Sequence, residues 1–212
     1  MRDGMSGIRL VSWDVDGTLF SYFRAMAVMI PPVLHRAART GWAKTAREIR
    51  DTIVFHRTVE RQRRTPDSRV VESELERFLT TFEVENTMLD SALRGIHPRS
   101  RALSLLRRFS AAGVTQVALS DFECEYKLKA LGLHEAFAAA YSCRSLGFWK
   151  PSAIPLSRIQ RDFGVLPSQH LHIGDRLDTD GSACARNGCR FELIDRVPKA
   201  WKAFNGVCAL GA

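Results

Sequence analysis

Five short apolar runs limit most strongly what this chain can become: Ile8–Trp13, Val114–Leu119, Phe137–Ser142, His170–Ile173 and Cys189–Ile194. Runs of this length, rich in Val, Ile and Leu, read as strands buried on both faces. Helical patterns separate the later ones, over Arg99–Ala112, Cys124–Leu131, Ser152–Phe163 and Thr179–Asn187. Strands alternating with helices predict an α/β chain with a parallel sheet covered on both sides.

Between the first run and the second lies a long stretch, 21–96, without a strand pattern. Val71, Leu75, Phe78, Leu79 and Phe82 recur at helical spacing, and Trp42–Arg64 reads as helix. Pro31–Pro32 is expected to break or restart the helix before it. The expected organisation is a sheet domain made of 1–20 and 97–212, interrupted by an all-helical module over 21–96.

Composition sets outer limits. Hydrophobic residues at 45% and charged residues at 25% fit an ordinary soluble protein. The opening MRDGMSGIRL has no apolar targeting core, and AMAVMIPPVL is too short to span a bilayer. Five cysteines without a CxxC pair suit a reducing compartment, so cytoplasm is the expected location. The net charge of +8 is uneven. Residues 35–70 carry ten basic against four acidic side chains, whereas 71–95 carry two against six.

Three of the predicted strands end in polar residues. IRLVSWD ends at Asp14, TQVALSD at Ser120 and Asp121, and HLHIGD at Asp175. Ligands of open parallel sheets bind beyond the carboxyl ends of the strands. If these strands are neighbours, Asp14, Asp16, Ser120 and Asp175 converge, with Lys150 of GFWKPS within reach. Three carboxylates, a hydroxyl and an ammonium suit a hard divalent cation together with a phosphate. Two side-by-side carboxylates, Asp14 and Asp16, otherwise cost Coulomb energy. Gly17 permits the sharp turn that follows them.

The set DVDGT at 14–18, Ser120 in ALSD, Lys150 in KPS and GDRLDTD at 174–180 resembles the haloacid dehalogenase superfamily, with all four motifs in order. The resemblance implies a Rossmann-like, three-layer core, and the 21–96 insertion resembles that family's first class of helical cap. It also implies roles. Asp14 is the nucleophile that forms an aspartyl-phosphate, and Asp16 is the general acid and then base. Thr18, Ser120 and Lys150 bind the phosphoryl group, Lys150 also steadying Asp14. Mg2+ is held by Asp14, the Asp16 carbonyl and Asp175, with Asp180 acting through water. Members that dehalogenate carbon lack an acid at the position of Asp16. A phosphatase for a small phosphomonoester is therefore expected, with a phosphomutase or a non-catalytic anion- or nucleic-acid-binding protein as alternatives.

Several residues also have plainer readings. Ser120 and Asp121 would cap the helix near Cys124, and Asp178 the helix from Thr179. His170 and His172 share a strand face and read as ordinary strand residues rather than metal ligands. Cys184 and Cys189 read as small buried groups. Arg47, Arg50, Arg57, Arg61 and Arg64 fall on one helical arc and read as a solvated basic face. The alternative is that they steer anions or contact nucleic acid, against which stands the scarcity of aromatic residues among them. Phe148 and Trp149 line either a substrate entrance or the core.

Overall fold

A computed structural model of the protein describes residues 7–196; the ends of the expected sheet domain, 1–6 and 197–212, lie outside it. Five parallel strands form one sheet: β1 (Leu10–Trp13), β2 (Thr115–Ser120), β3 (Ala139–Ser142), β4 (His170–Gly174) and β5 (Arg190–Leu193). The order is β3-β2-β1-β4-β5, so β1 is central and the winding direction reverses between β1 and β4. All five correspond to the apolar runs of the sequence. Their alternate side chains enter two separate clusters, one on each face of the sheet. Val11, Trp13 and Ala118 pack on one side; Leu10, Val117 and Leu119 pack on the other.

Among the described residues, seven α-helices accompany the sheet: α1 (Tyr22–Thr40), α2 (Trp42–Arg63), α3 (Leu79–Leu93), α4 (Ser100–Ala111), α5 (Glu125–Ala130), α6 (Ile154–Phe163) and α7 (Ser182–Asn187). The α4 pattern buries Ala102, Leu105, Leu106 and Phe109 at i, i+3, i+4 and i+7, the stripe needed to cover a sheet. None of the described helices is long and apolar enough to cross a membrane.

Residues 21–96 contain helices and short helical turns but no strand beyond one isolated antiparallel bridge, Arg69 with Phe148, in the loop after α2. Two expectations change here. First, α1 runs unbroken through Pro31 and Pro32. Each proline lacks an N–H for the carbonyl four residues earlier, Ala27 or Val28, but both of those residues are exposed and water can replace the missing donor. Second, the periodic segment from Val71 begins as two 3-10 turns, Glu72–Glu74 and Glu76–Phe78, and becomes α-helical only at Leu79. Its apolar spacing still serves burial: Leu75, Phe78 and Phe82 join Phe55 and Val59 of α2.

The two chain crossings into and out of the helical segment are stitched together where Arg99 N–H donates to the Leu19 carbonyl at 2.8 Å. At the other end, Trp149 is fully buried and its indole N–H donates to Gln62 Oε1 of α2 at 2.8 Å. Trp149 is therefore a core residue that ties α2 to the loop after β3.

Candidate active site

Parallel pairing aligns Trp13 with Ala118 on one side and with Ile173 on the other, so the chain leaves β1, β2 and β4 at one level. Asp14, Asp16, Ser120 and Asp175 consequently meet at one end of the sheet, as their places at the strand tips required. Lys150 reaches the same point from the loop after β3. Its Nζ lies 2.5 Å from Asp14 Oδ1 and 2.8 Å from Asp180 Oδ1, with all three side chains almost wholly buried. Removing one member of such a buried ionic group leaves an uncompensated charge, at a cost of about 3–5 kcal/mol.

The two expected phosphate-binding hydroxyls are both engaged with carboxylates. Thr18 Oγ1 donates to Asp14 Oδ2 at 2.9 Å, and Ser120 Oγ donates to Asp16 Oδ2 at 3.1 Å. A residue that sequence reasoning missed also stands here. Lys127 of α5 is buried and places Nζ 2.8 and 2.6 Å from the two Asp16 oxygens. Burial opposes its charge, but Asp16 more than offsets this and holds the ammonium above its usual range. Each of the adjacent acids Asp14 and Asp16 thus has its own lysine.

Asp14, Asp175 and Asp180 each offer an oxygen within 4.8 Å of the others. Backbone shape makes this approach possible. A Cβ on Gly17 would lie 2.1 Å from Asp175 Oδ2, and one on Gly174 would lie 2.5 Å from Asp180 Cγ. Gly17 also has φ +91°, which only glycine adopts without strain. Burial pushes Asp14 well above the usual carboxylate range; Lys150 pulls the other way, but Asp180 and Asp175 add to the rise. Burial, and then Asp180, raise Asp175 as well. In Asp180 burial is outweighed by Lys150 and the hydrogen bond from His172, which hold it low. Hard oxygen donors, crowded beyond what one lysine neutralises, fit a divalent cation of the Mg2+ type.

His170 and His172 are more than strand filler. Both are fully buried, on the same face as Ser12 of the adjacent β1. His172 Nε2 faces Asp180 Oδ1 at 3.2 Å, and His172 Nδ1 faces Ser12 Oγ at 2.7 Å. His170 Nε2 lies 2.7 Å from the same hydroxyl, and His170 Nδ1 lies 3.1 Å from Gln160 Nε2 of α6. Burial keeps both rings neutral, His170 down to about 3 and His172 also lowered. Neutrality then fixes every proton, because each ring has one donor and one acceptor. Asp180 must accept from His172 Nε2–H, so Ser12 donates to His172 Nδ1. His170 Nε2–H therefore donates to Ser12, and Gln160 donates to His170 Nδ1. The donors form a file aimed at Asp180.

Asp121 and Asp178 do not cap helices. Asp121 Oδ2 takes Arg63 of α2 at 2.5 Å, and Asp178 pairs with Arg176 at 2.7 Å. No side-chain hydrogen bond caps α5, and the turn Leu177–Gly181 is a π-turn. Arg47, Arg50, Arg57, Arg61 and Arg64 are all exposed, Arg50 and Arg61 pairing with Asp51 and Glu74. Phe148 lies under Arg69, whose guanidinium is 5.2 Å from its ring centre. Cys184 is buried and Cys189 partly so.

The sequence model of the haloacid dehalogenase-like hydrolases matches residues 8–188. No curated protein matches this sequence. Among solved structures, a magnesium-bound hydrolase named YfnB from Bacillus subtilis is similar, with a TM-score of 0.65 and 16% identity over 93% of this chain and 99% of that one. A phosphatase from Thermococcus onnurineus gives 0.62 and 18% identity over 87% and 85%. The L-2-haloacid dehalogenase of Xanthobacter autotrophicus, with chloropropionic acid covalently bound, gives 0.58 and 17% over 87% and 76%. Likeness at this identity establishes the shared fold, while the family match spans all of the strand-tip motifs. The chain belongs to the haloacid dehalogenase-like hydrolases.

Proposed function

We propose that the protein is a Mg2+-dependent phosphatase acting on a small phosphomonoester, with residues 21–96 forming a cap over the site. The observation that carries this reading is the second acid: Asp16 lines the same cavity as Asp14, held by Ser120 and by Lys127. An alkoxide leaving group needs a proton, which an acid at this place supplies, whereas a departing halide needs none.

Asp14 attacks phosphorus as the bond to the ester oxygen breaks, and the electron pair leaves on the alcohol oxygen. Asp16 delivers its proton there. Asp16 then takes a proton from water as that water attacks phosphorus and Asp14 departs as a carboxylate. Lys150 and Thr18 aim Asp14, and the pairing of Asp16 with Lys127 corresponds to its proton-accepting state. A Mg2+ ion held by Asp14, Asp175 and the Asp16 carbonyl, with Asp180 in support, would offset phosphoryl charge.

Inorganic phosphate release from a panel of phosphomonoesters, with Mg2+ and with excess chelator, tests the reading. Chloride release from L-2-chloropropionate is followed in parallel. Phosphate release that needs Mg2+ and vanishes in Asp14→Asn is expected. Chloride without phosphate would make the protein a dehalogenase, and an isomerised sugar phosphate without free phosphate would make it a mutase.

A further inference from the structure

A cavity of about 420 Å3 extends from Asp14 toward α2 and α3. Its inner end holds the lysines already paired with Asp14 and Asp16. Its outer end, where the alcohol part of an ester would sit, carries Glu60, Glu85 and Asp121 against Arg63 and Arg176. Both guanidiniums already pair with carboxylates, though the buried Arg63 Nε has no partner. Arg63 pairs with Glu60 and with Asp121, and Arg176 pairs with Glu60 at 3.1 Å and Asp178 at 2.7 Å. Glu85 faces the imidazole of His56 at 3.2 Å, a partner that carries a charge only when protonated.

A second anion on the substrate would therefore meet carboxylates, and capturing a guanidinium would orphan Asp121 or Asp178. Hydroxyl or amino groups meet acceptors on Glu85 and on Asn86, whose Oδ1 already takes the Tyr126 hydroxyl at 3.0 Å. The exposed arginine stripe of α2 does not line this chamber.

We infer that the enzyme selects phosphomonoesters whose alcohol portion is uncharged or cationic and rejects those bearing a second carboxylate or phosphate, with Glu85 as a specificity-determining residue. This rests on the phosphatase reading. The test compares kcat/KM for 4-carbamoylphenyl phosphate and 4-carboxyphenyl phosphate, which are nearly equal in size and differ in charge. 4-Nitrophenyl phosphate serves as the control. The carboxylate ester is expected to be about tenfold poorer, from a like charge held several ångströms away. Glu85→Gln should narrow the gap and Glu85→Lys should close or invert it. Equal values for the two esters, with 4-nitrophenyl phosphate turned over, overturn the inference and leave the phosphatase reading standing. Failure to release phosphate from any of the three overturns that reading, and the inference with it.

Discussion

His172 donates its Nε2 proton to Asp180 Oδ1 across 3.2 Å, and the opposite nitrogen of the same ring takes the proton of Ser12. One imidazole thus joins the central strand to the acid cluster. The file behind it, through Ser12 and His170 to Gln160, has no member exposed to water. A buried group deprived of its partner costs about 1–3 kcal/mol.

Ser12→Ala removes the hydroxyl that both rings share and leaves two buried nitrogens unpartnered. We expect a loss of about 1–3 kcal/mol in urea unfolding. In nitrogen-15 spectra of the unmodified protein, both histidines should appear as neutral Nε2–H tautomers. A Nδ1–H tautomer at His172 would contradict the direction assigned to the file.

Acid should destabilise the protein through His170. Its value in the folded state is about 3, below the 6.5 of a free imidazole, so the unfolded chain binds the extra proton. Stability is therefore complete above about pH 6.5 and falls as pH drops toward 3, by about 1.4 kcal/mol per unit. His170→Gln keeps a donor near the Nε2 position and removes the titration. Its urea midpoint should change less than that of the unmodified protein between about pH 7 and pH 5. Parallel curves would dismiss the claim.

Gly17→Ala should abolish Mg2+ binding, because the added carbon would sit 2.1 Å from Asp175 Oδ2 on a backbone at φ +91°. Calorimetric titration with Mg2+ measures this without any substrate. Circular dichroism checks that the sheet survives. Heat of binding equal to that of the unmodified protein would separate Asp175 from the proposed ion site.

Lys127→Met should lower kcat by roughly 10–100-fold, since Asp16, the proposed proton-transfer group, loses the ammonium that positions it. Lys127→Arg should restore part of the rate, being able to pair with both Asp16 oxygens. A variant as fast as the parent would reduce Lys127 to a structural pair.

The sheet was legible because strands buried on both faces cannot hide their composition, and each apolar run became a strand. The strand-tip residues followed from the same logic, since parallel strands end together. Lys127 was not legible. On a short helix that also carries Lys129, a lysine looks like a solvated one, and only the fold turns Lys127 inward to Asp16. His170 and His172 alternate with Leu171 and Ile173, so their spacing revealed a common face but not the serine on the next strand that both would touch. Pro31 and Pro32 misled for a local reason: the rule against internal proline weakens where the freed carbonyls meet solvent. Arg63 was not legible because it lies among exposed arginines, and only the fold turns it toward Glu60 and Asp121.

Ser12, His170 and His172 form one hydrogen-bonded unit. Aliphatic side chains at all three positions would leave no polar atom of the trio stranded, so a relative could discard them together at modest harm to folding. Losing Ser12 alone strands a nitrogen on each ring, whereas losing either histidine leaves the other still bonded to Ser12. The serine is therefore the member least replaceable by itself.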